Sequence, residues 1–276
     1  MSELTRAIIQ QKLKSRLPQS HKGDHGHVLL VAGSRGSMGA ATIAARACLR
    51  SGAGLLTVCA PESERAILQA SIPEAMVVMR GITAPDLARY TAVGIGPGVG
   101  TGEQEKHFLA DLLTRFQKPI LLDADALNII ALNRELLHAI PKGSILTPHP
   151  KEFDRLFGHH DTGEQRTATA LQMAEALGLV LVVKGQHTEV VFGGDIVTNT
   201  SGNAGLAKGG SGDALTGMIS AFLAQGYDVF DAAQCGVYLH GLAADIALER
   251  QSLESLLITD VIECIGQAFN CIRAQT

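Results

Sequence analysis

Tryptophan is absent from these 276 residues, and aromatic side chains make up only 4% of them. This argues against a surface that binds nucleic acid by stacking bases on aromatic rings. Long runs of one charge are also missing. The net charge is -4 and charged residues are 18% of the chain, which argues against a basic nucleic-acid footprint and against disorder. The five cysteines, Cys48, Cys59, Cys235, Cys264 and Cys271, form no CxxC pair and no Cys/His spacing suited to zinc. They read as reduced core residues of an intracellular protein. The opening "MSELTRAIIQQKLKSRLPQ" has no signal-peptide apolar region, and no apolar run reaches membrane-spanning length. The expectation is a cytoplasmic protein with no membrane partner.

Two phosphate-binding signatures are missing as well. GxxxxGK[ST] does not occur, so a P-loop is excluded. In "GSRGSMG", Gly33, Gly36 and Gly39 have the wrong spacing for a dinucleotide fingerprint, and no acid closes the following strand. That loop reads equally as tight strand-to-helix packing or as a small-residue wall around a ligand, with Ala40 and Ala41 at the helix start.

What is present is a hydrophobic fraction of 46%, enough for a sizeable core. Residues 1 to about 20 pattern as a short amphipathic helix ended near Pro18. Apolar, strand-like runs follow at 27–33, 55–60, 75–79, 90–96 and near 119 and 143, with helical patterns between several of them. Residues 179–199 hold three strand-like runs, two of them a hairpin around Gly193-Gly194. Helices over roughly 211–225, 229–249 and 259–274 close the chain. Strands alternating with helices predict an α/β fold with a mostly parallel sheet covered on both faces. With no linker or repeat, residues 1–276 read as one domain. Ligands of such sheets bind beyond the carboxyl ends of the strands, where every informative motif falls.

Those motifs carry the chemistry. "GIGPGVG" (94–100) combines Pro97 with four glycines, more than a structural turn needs, and reads as a ligand-facing loop. "DADAL" (123–127) puts two carboxylates at a strand end, for helix capping or for contact with a metal-bound water or substrate hydroxyl. "TPHPKE" (147–152) holds His149 rigidly between prolines, as a ligand candidate. His159 and His160 fall in a polar loop and read as solvated. Lys184 ends a buried strand, where an ammonium needs a nucleotide phosphate or a neighbouring acid. "AKGGSGD" (207–213) places Asp213 behind Gly209, Gly210, Ser211 and Gly212 at a helix start. The free amides and positive end of such a helix favour an anion, and Asp213 is positioned to act as a base toward a hydroxyl.

"AKGGSGD" resembles the anion hole and catalytic Asp of ribokinase-like enzymes. Together with "HKGDHGHVLLVAGS", "GIGPG", "LDADALN", "ILTPHPKEF", "VVKGQHT" and "NTSGNAGLAKGGSGDALTG", in that order, it is similar to the ADP-dependent NAD(P)H-hydrate dehydratases. The similarity runs over roughly residues 21 to 250 and looks like the stand-alone bacterial form, with no room for the epimerase domain to which such enzymes are often fused. The resemblance implies a ribokinase-like three-layer αβα sandwich. It also implies a repair lyase (hydro-lyase). ADP phosphorylates the C6 hydroxyl of the S epimer of hydrated NADH or NADPH (NADHX/NADPHX), and elimination yields NAD(P)H, AMP and phosphate. By motif, Asp213 takes the hydroxyl proton and contacts substrate, while Gly209, Gly210, Ser211 and Gly212 stabilise the phosphoryl group. Lys184, Gly185, Gln186, His187, Thr188 and Asn203 line the nucleotide site. Ala40, Gly98, Gly100 and His149 contact the hydrated dinucleotide. Magnesium is expected with the nucleotide; its ligands are unassigned, with Glu152 as an outer candidate. The family also implies a homotetramer and functional coupling to a separate epimerase. Family members more often carry Gly where this chain has Lys151, a surface change beside the His149 turn. The competing reading is an ATP-dependent kinase of hydroxymethylpyrimidine, hydroxyethylthiazole or a sugar, on the same fold. A non-catalytic dinucleotide sensor is a third, opposed by an intact Asp213.

Overall fold

The computed structural model describes residues 2–81 and 85–274. In chain order its elements begin with β1 (Ser2–Leu4), α1 (Arg6–Lys12), β2 (His27–Val31), α2 (Met38–Arg50), β3 (Leu55–Ala60), α3 (Arg65–Ser71) and β4 (Met76–Met79). Next come β5 (Ala92–Ile95), α4 (Glu103–Arg115), β6 (Ile120–Leu122), α5 (Ala124–Leu132), β7 (Ile145–Leu146), α6 (Pro150–Phe157) and α7 (Gly163–Leu177). The chain closes with β8 (Val180–Val183), β9 (Glu189–Phe192), β10 (Asp195–Asn199), α8 (Ser211–Ala224), α9 (Val229–Ala247) and α10 (Ile258–Arg273). Among the described residues the strands form one ten-stranded sheet in the order β1-β10-β9-β8-β7-β6-β5-β2-β3-β4. Only β9 runs antiparallel to its neighbours.

Both faces of the sheet are covered, as the unbroken apolar strand runs require. Alternate residues of β2 serve opposite cores: Val28 and Leu30 join the helices α1, α2, α3, α8, α9 and α10, while Leu29 and Val31 join α4, α5, α6 and α7. This is a three-layer αβα sandwich. Helix α8 is buried from Ala214 to Ala224. It lies so close to α2 that a Cβ on Gly217 would come 2.0 Å from the Ala44 carbonyl oxygen. Glycine there lets the two backbones touch, and the contact fixes α8 and its amino end.

Several expectations need correction. The amino-terminal segment is not one helix: residues 2–4 form β1, paired in parallel with β10, and α1 stops at Lys12, well before Pro18. Tertiary pairing has overridden local amphipathic pattern. Helix α7 has no counterpart in the sequence reading, although Thr162 and Gln165 form a capping box at its start, a legible signal. His160 is not solvated: it is 9% exposed, hydrogen-bonded to Asp154 and Thr169 and packed edge-on against Phe153. Cys48, Cys59 and Cys235 are buried as expected, but Cys264 is half-buried and Cys271 exposed. The hairpin around Gly193-Gly194 forms as β9–β10.

Candidate active site

The strand order reverses where β5 lies beside β2, and this switch point opens a crevice at the strand ends. Two glycine loops meet there. The Gly33 amide donates to the Pro97 carbonyl at 2.8 Å. Gly98, at φ +60°, lies so close to α2 that an added Cβ would sit 3.0 Å from the Ser37 carbonyl and 3.2 Å from the Ala40 methyl. Two side chains hold the loops in place. Asp125 accepts from the Gly100 amide at 2.9 Å. Arg80 donates from Nη2 to the carbonyls of Gly33 and Val99 at 2.9 and 3.4 Å. The structure thus brings Ala40, Gly98 and Gly100 together. The sequence reading missed Arg80, which no local motif marks.

Next along the sheet, Asp123 ends β6 and stands at the amino end of α5, 1% exposed. It makes no side-chain cap, so the capping role is not realised. Its Oδ1 accepts from Lys184 Nζ at 2.8 Å and its Oδ2 from Thr216 Oγ1 at 2.8 Å. Ala124, just behind it, has φ +47°, a conformation costly for a residue with a Cβ and found where surrounding packing enforces it.

Lys184 has thus found an acid in this structure. Glu152 Oε2 lies 3.8 Å on its other side. Burial alone would lower the lysine pKa, but Asp123 and Glu152 outweigh it and hold the ammonium above its usual value. Glu152 is pushed up by its own burial, with Lys184 opposing.

His149 does double duty. Its Nδ1 accepts from the amides of Lys151 and Glu152 at 3.1 and 3.3 Å, and its own amide donates to Glu152 Oε2 at 2.8 Å. This capping box, with Pro150 in the first turn, starts α6. An accepting Nδ1 leaves the proton on Nε2. Burial, then the Lys184 charge, lowers the ring's pKa and favours this neutral form. The side chain remains 45% exposed, so its outer edge is open to a ligand.

The glycine loop completes the site. Gly210, at φ +93°, caps α8, and a Cβ there would strike Ile43 and Ile258 at 2.8 and 2.9 Å. At Gly209 a Cβ would meet nothing within 4 Å, so the loop is open on that side. Asp213 stands in the first turn of α8 and is not its cap. Among the described residues nothing hydrogen-bonds its carboxylate. Burial, reinforced by Asp123 and only partly opposed by Lys184, pushes it up to about 6. A carboxylate poised there is a better base than an ordinary one. Asn203 is engaged elsewhere: its Oδ1 accepts from the Gly205 amide at 3.0 Å and its Nδ2 donates to Asp245 at 2.9 Å. Asp245, on α9, is a second residue the sequence reading missed.

Residues 184–188 bridge β8 and β9, and Thr188 Oγ1 donates to the Gly185 carbonyl at 3.3 Å. His187 lines a cavity of about 370 Å³ with Ser2, Glu3, Thr198, Asn199 and Thr200. Among the described residues no three His, Cys, Asp or Glu side chains gather as a metal cage. Glu152 accepts from the His149 amide and faces Lys184, which leaves it poorly placed as a direct magnesium ligand.

A family model described as NAD(P)H-hydrate dehydratase matches residues 28–267. The chain is 39% identical to the ADP-dependent (S)-NAD(P)H-hydrate dehydratase of Neisseria meningitidis, over 90% of this chain and 86% of that one. It is 38% identical to the bifunctional NAD(P)H-hydrate repair enzyme Nnr of Escherichia coli, over 94% of this chain but 50% of that protein. The chain therefore spans about half the length of its bifunctional relatives. A crystal structure of the ADP/ATP-dependent NAD(P)H-hydrate dehydratase of Bacillus subtilis, co-crystallised with ATP and magnesium, superposes with a TM-score of 0.87 at 31% identity, covering 98% of each chain. The fold is ribokinase-like, and the chain belongs to the NAD(P)H-hydrate dehydratase family.

Proposed function

We propose that this chain is a hydro-lyase that repairs hydrated NAD(P)H, using ADP as phosphoryl donor to dehydrate the S epimer of NADHX or NADPHX. The observation that carries the reading is Asp213: a half-buried carboxylate held near 6, without a partner among the described residues, beside an open glycine loop at a helix amino end. Hydroxide is a poor leaving group. Phosphorylation of the C6 hydroxyl makes it a good one, and the ring nitrogen then expels phosphate. Asp213 accepts the hydroxyl proton as attack begins. The amides of Gly209, Gly210, Ser211 and Gly212 meet the charge that spreads over the phosphoryl oxygens.

Lys184 draws the nucleotide phosphates to the same point, and residues 185–188 guide the nucleoside toward the cavity beside His187. Magnesium, when bound with the nucleotide, would neutralise phosphate charge. The loops around Gly98 and Gly100, the Ala40 helix start and the open edge of His149 form the dinucleotide wall. Asn203, tied to Asp245, shapes the loop below the phosphates. The whole chain acts as one catalytic unit in the cytoplasm, as a homotetramer working alongside a separate epimerase.

The test follows absorbance at 340 nm with acid-prepared NADH hydrate, magnesium and either ADP or ATP. Growth of the NADH band with ADP, with AMP as co-product, supports the reading. A stable phosphorylated small alcohol made from ATP, with no NADH formed, would favour the kinase alternative.

A further inference from the structure

Asp123 joins the two halves of the site, and no motif-based role accounts for its contacts. One carboxylate oxygen is held by Thr216, which is fully buried on α8 one turn beyond Asp213. The other is held by Lys184. The Lys184 ammonium occupies the space a side chain at position 212 would need: a Cβ on Gly212 would lie 3.2 Å from Nζ and 3.6 Å from Asp123 Oδ2. The cation thus already sits at the floor of the glycine loop, where an incoming phosphate would arrive.

Three charged groups act on Asp213: Asp123 at the β6–α5 junction, Asp125 in the first turn of α5, and Lys184 after β8. Lys184 is faced in turn by Glu152 of α6 and influences the buried His240 of α9, whose Nε2 has no hydrogen-bond partner. Burial and then Lys184 push His240 down to about 4, so it is neutral and adds no charge.

We propose that Asp123 is a positioning residue. Through Thr216 it clamps the turn of α8 that carries Asp213. It also restrains the Lys184 ammonium until a nucleotide phosphate competes for it, and its freed charge then strengthens Asp213 as a base. The proposal rests on Asp213 being the base, and it deepens that reading: the base is strongest only when the nucleotide is in place. Position 212 adjoins both the Lys184 ammonium and the Asp123 carboxylate, so an anion arriving there competes with Asp123 directly for the ammonium.

The test titrates the Asp213 carboxyl by carbon-13 NMR, assigned by its loss in Asp213→Asn, with and without ADP and magnesium. Calorimetry measures ADP binding in parallel. Asp123→Asn should move the Asp213 midpoint down by at least about half a unit and tighten ADP binding severalfold, because Lys184 is no longer shared. A damaged fold would weaken ADP binding instead. ADP should raise the midpoint more in the natural protein than in Asp123→Asn. Thr216→Val should lower kcat about tenfold or more through lost alignment, and Thr216→Ser should restore most of it. An unmoved midpoint with unchanged or weaker ADP binding in Asp123→Asn, or a serine variant no better than valine, would overturn the proposal. Full turnover by Asp213→Asn would instead remove the base assignment. The titration and calorimetry remain decisive for Asp123 in that event, because neither depends on turnover.

Discussion

Replacing Asp213 with Asn should cost activity and increase stability at the same time, in a pH-dependent way. The carboxyl is raised from 3.8 to about 6, mainly by burial and then by Asp123. One pKa unit corresponds to about 1.36 kcal/mol, so the ionised group costs the folded state up to about 3 kcal/mol. The mouth of the site admits water, and about 2 kcal/mol is the expected value after that screening. The sign follows from proton uptake. Between about pH 4 and 6 the folded state holds the Asp213 proton more firmly than the unfolded chain, so stability falls as pH rises through that window. Above it both states are ionised and the full penalty applies; below it both are protonated and the penalty vanishes. Asn is never ionised and escapes it. Thermal unfolding at pH 7.5 should show Asp213→Asn melting about 4–8 °C above the natural protein, with the gap closing near pH 4. Its NADH-forming rate should fall about 10²–10⁴-fold. An equal gap at both pH values, or none at pH 7.5, would refute the assignment of a strained, ionised carboxylate to this position.

Other expectations follow from the same geometry. kcat/KM should fall with acid below pH about 6, tracking Asp213, and Asp213→Glu should shift that limb if the carboxylate is the base. Gly210→Ala should destabilise the protein by about 1–3 kcal/mol and weaken ADP binding, since the residue sits at φ +93° and its methyl would strike Ile43 and Ile258; urea unfolding and ADP calorimetry measure the two effects. Gly217→Ala should cost more than about 3 kcal/mol, because its methyl cannot fit against the Ala44 carbonyl. Soluble yield and melting temperature report it. Arg80→Met should raise KM for the hydrated dinucleotide more than KM for ADP, because it unties Gly33 from Val99 and leaves the Lys184 side of the site intact. Steady-state kinetics with each substrate varied separates the two.

The sequence made the parallel sheet legible because strands buried on both faces read as continuous apolar runs, and the β2 residues do serve two cores. The glycine loops were legible because few other residues tolerate their backbone. Local pattern failed where long-range partners decide. Residues 2–4 look helical beside α1, but they complete the open edge of β10. His160 looks like a loop residue, but Asp154 and Thr169 draw it under α7. At the site, the residue types and their places along the chain were readable. Their pairings were not: Asp123 could be a cap, a metal-side acid or the partner of Lys184, and only the fold shows that Thr216 and Lys184 share it. Arg80 stands in no motif because its work is to bridge two loops far apart in sequence.

The seam between β1 and β10 also imposes a timetable on synthesis. Ser2 pairs with Val197, so β1 must wait for its neighbour until roughly 200 further residues have been translated. At about 5–20 residues per second that delay is roughly 10–40 s. Through that interval β2 to β8 can assemble on the ribosome while β1 stays unpaired. The edge that borders the His187 cavity is therefore the last part of the sheet to close, and the glycine loop and helices α8 to α10, which cover one face of that sheet, emerge only after it.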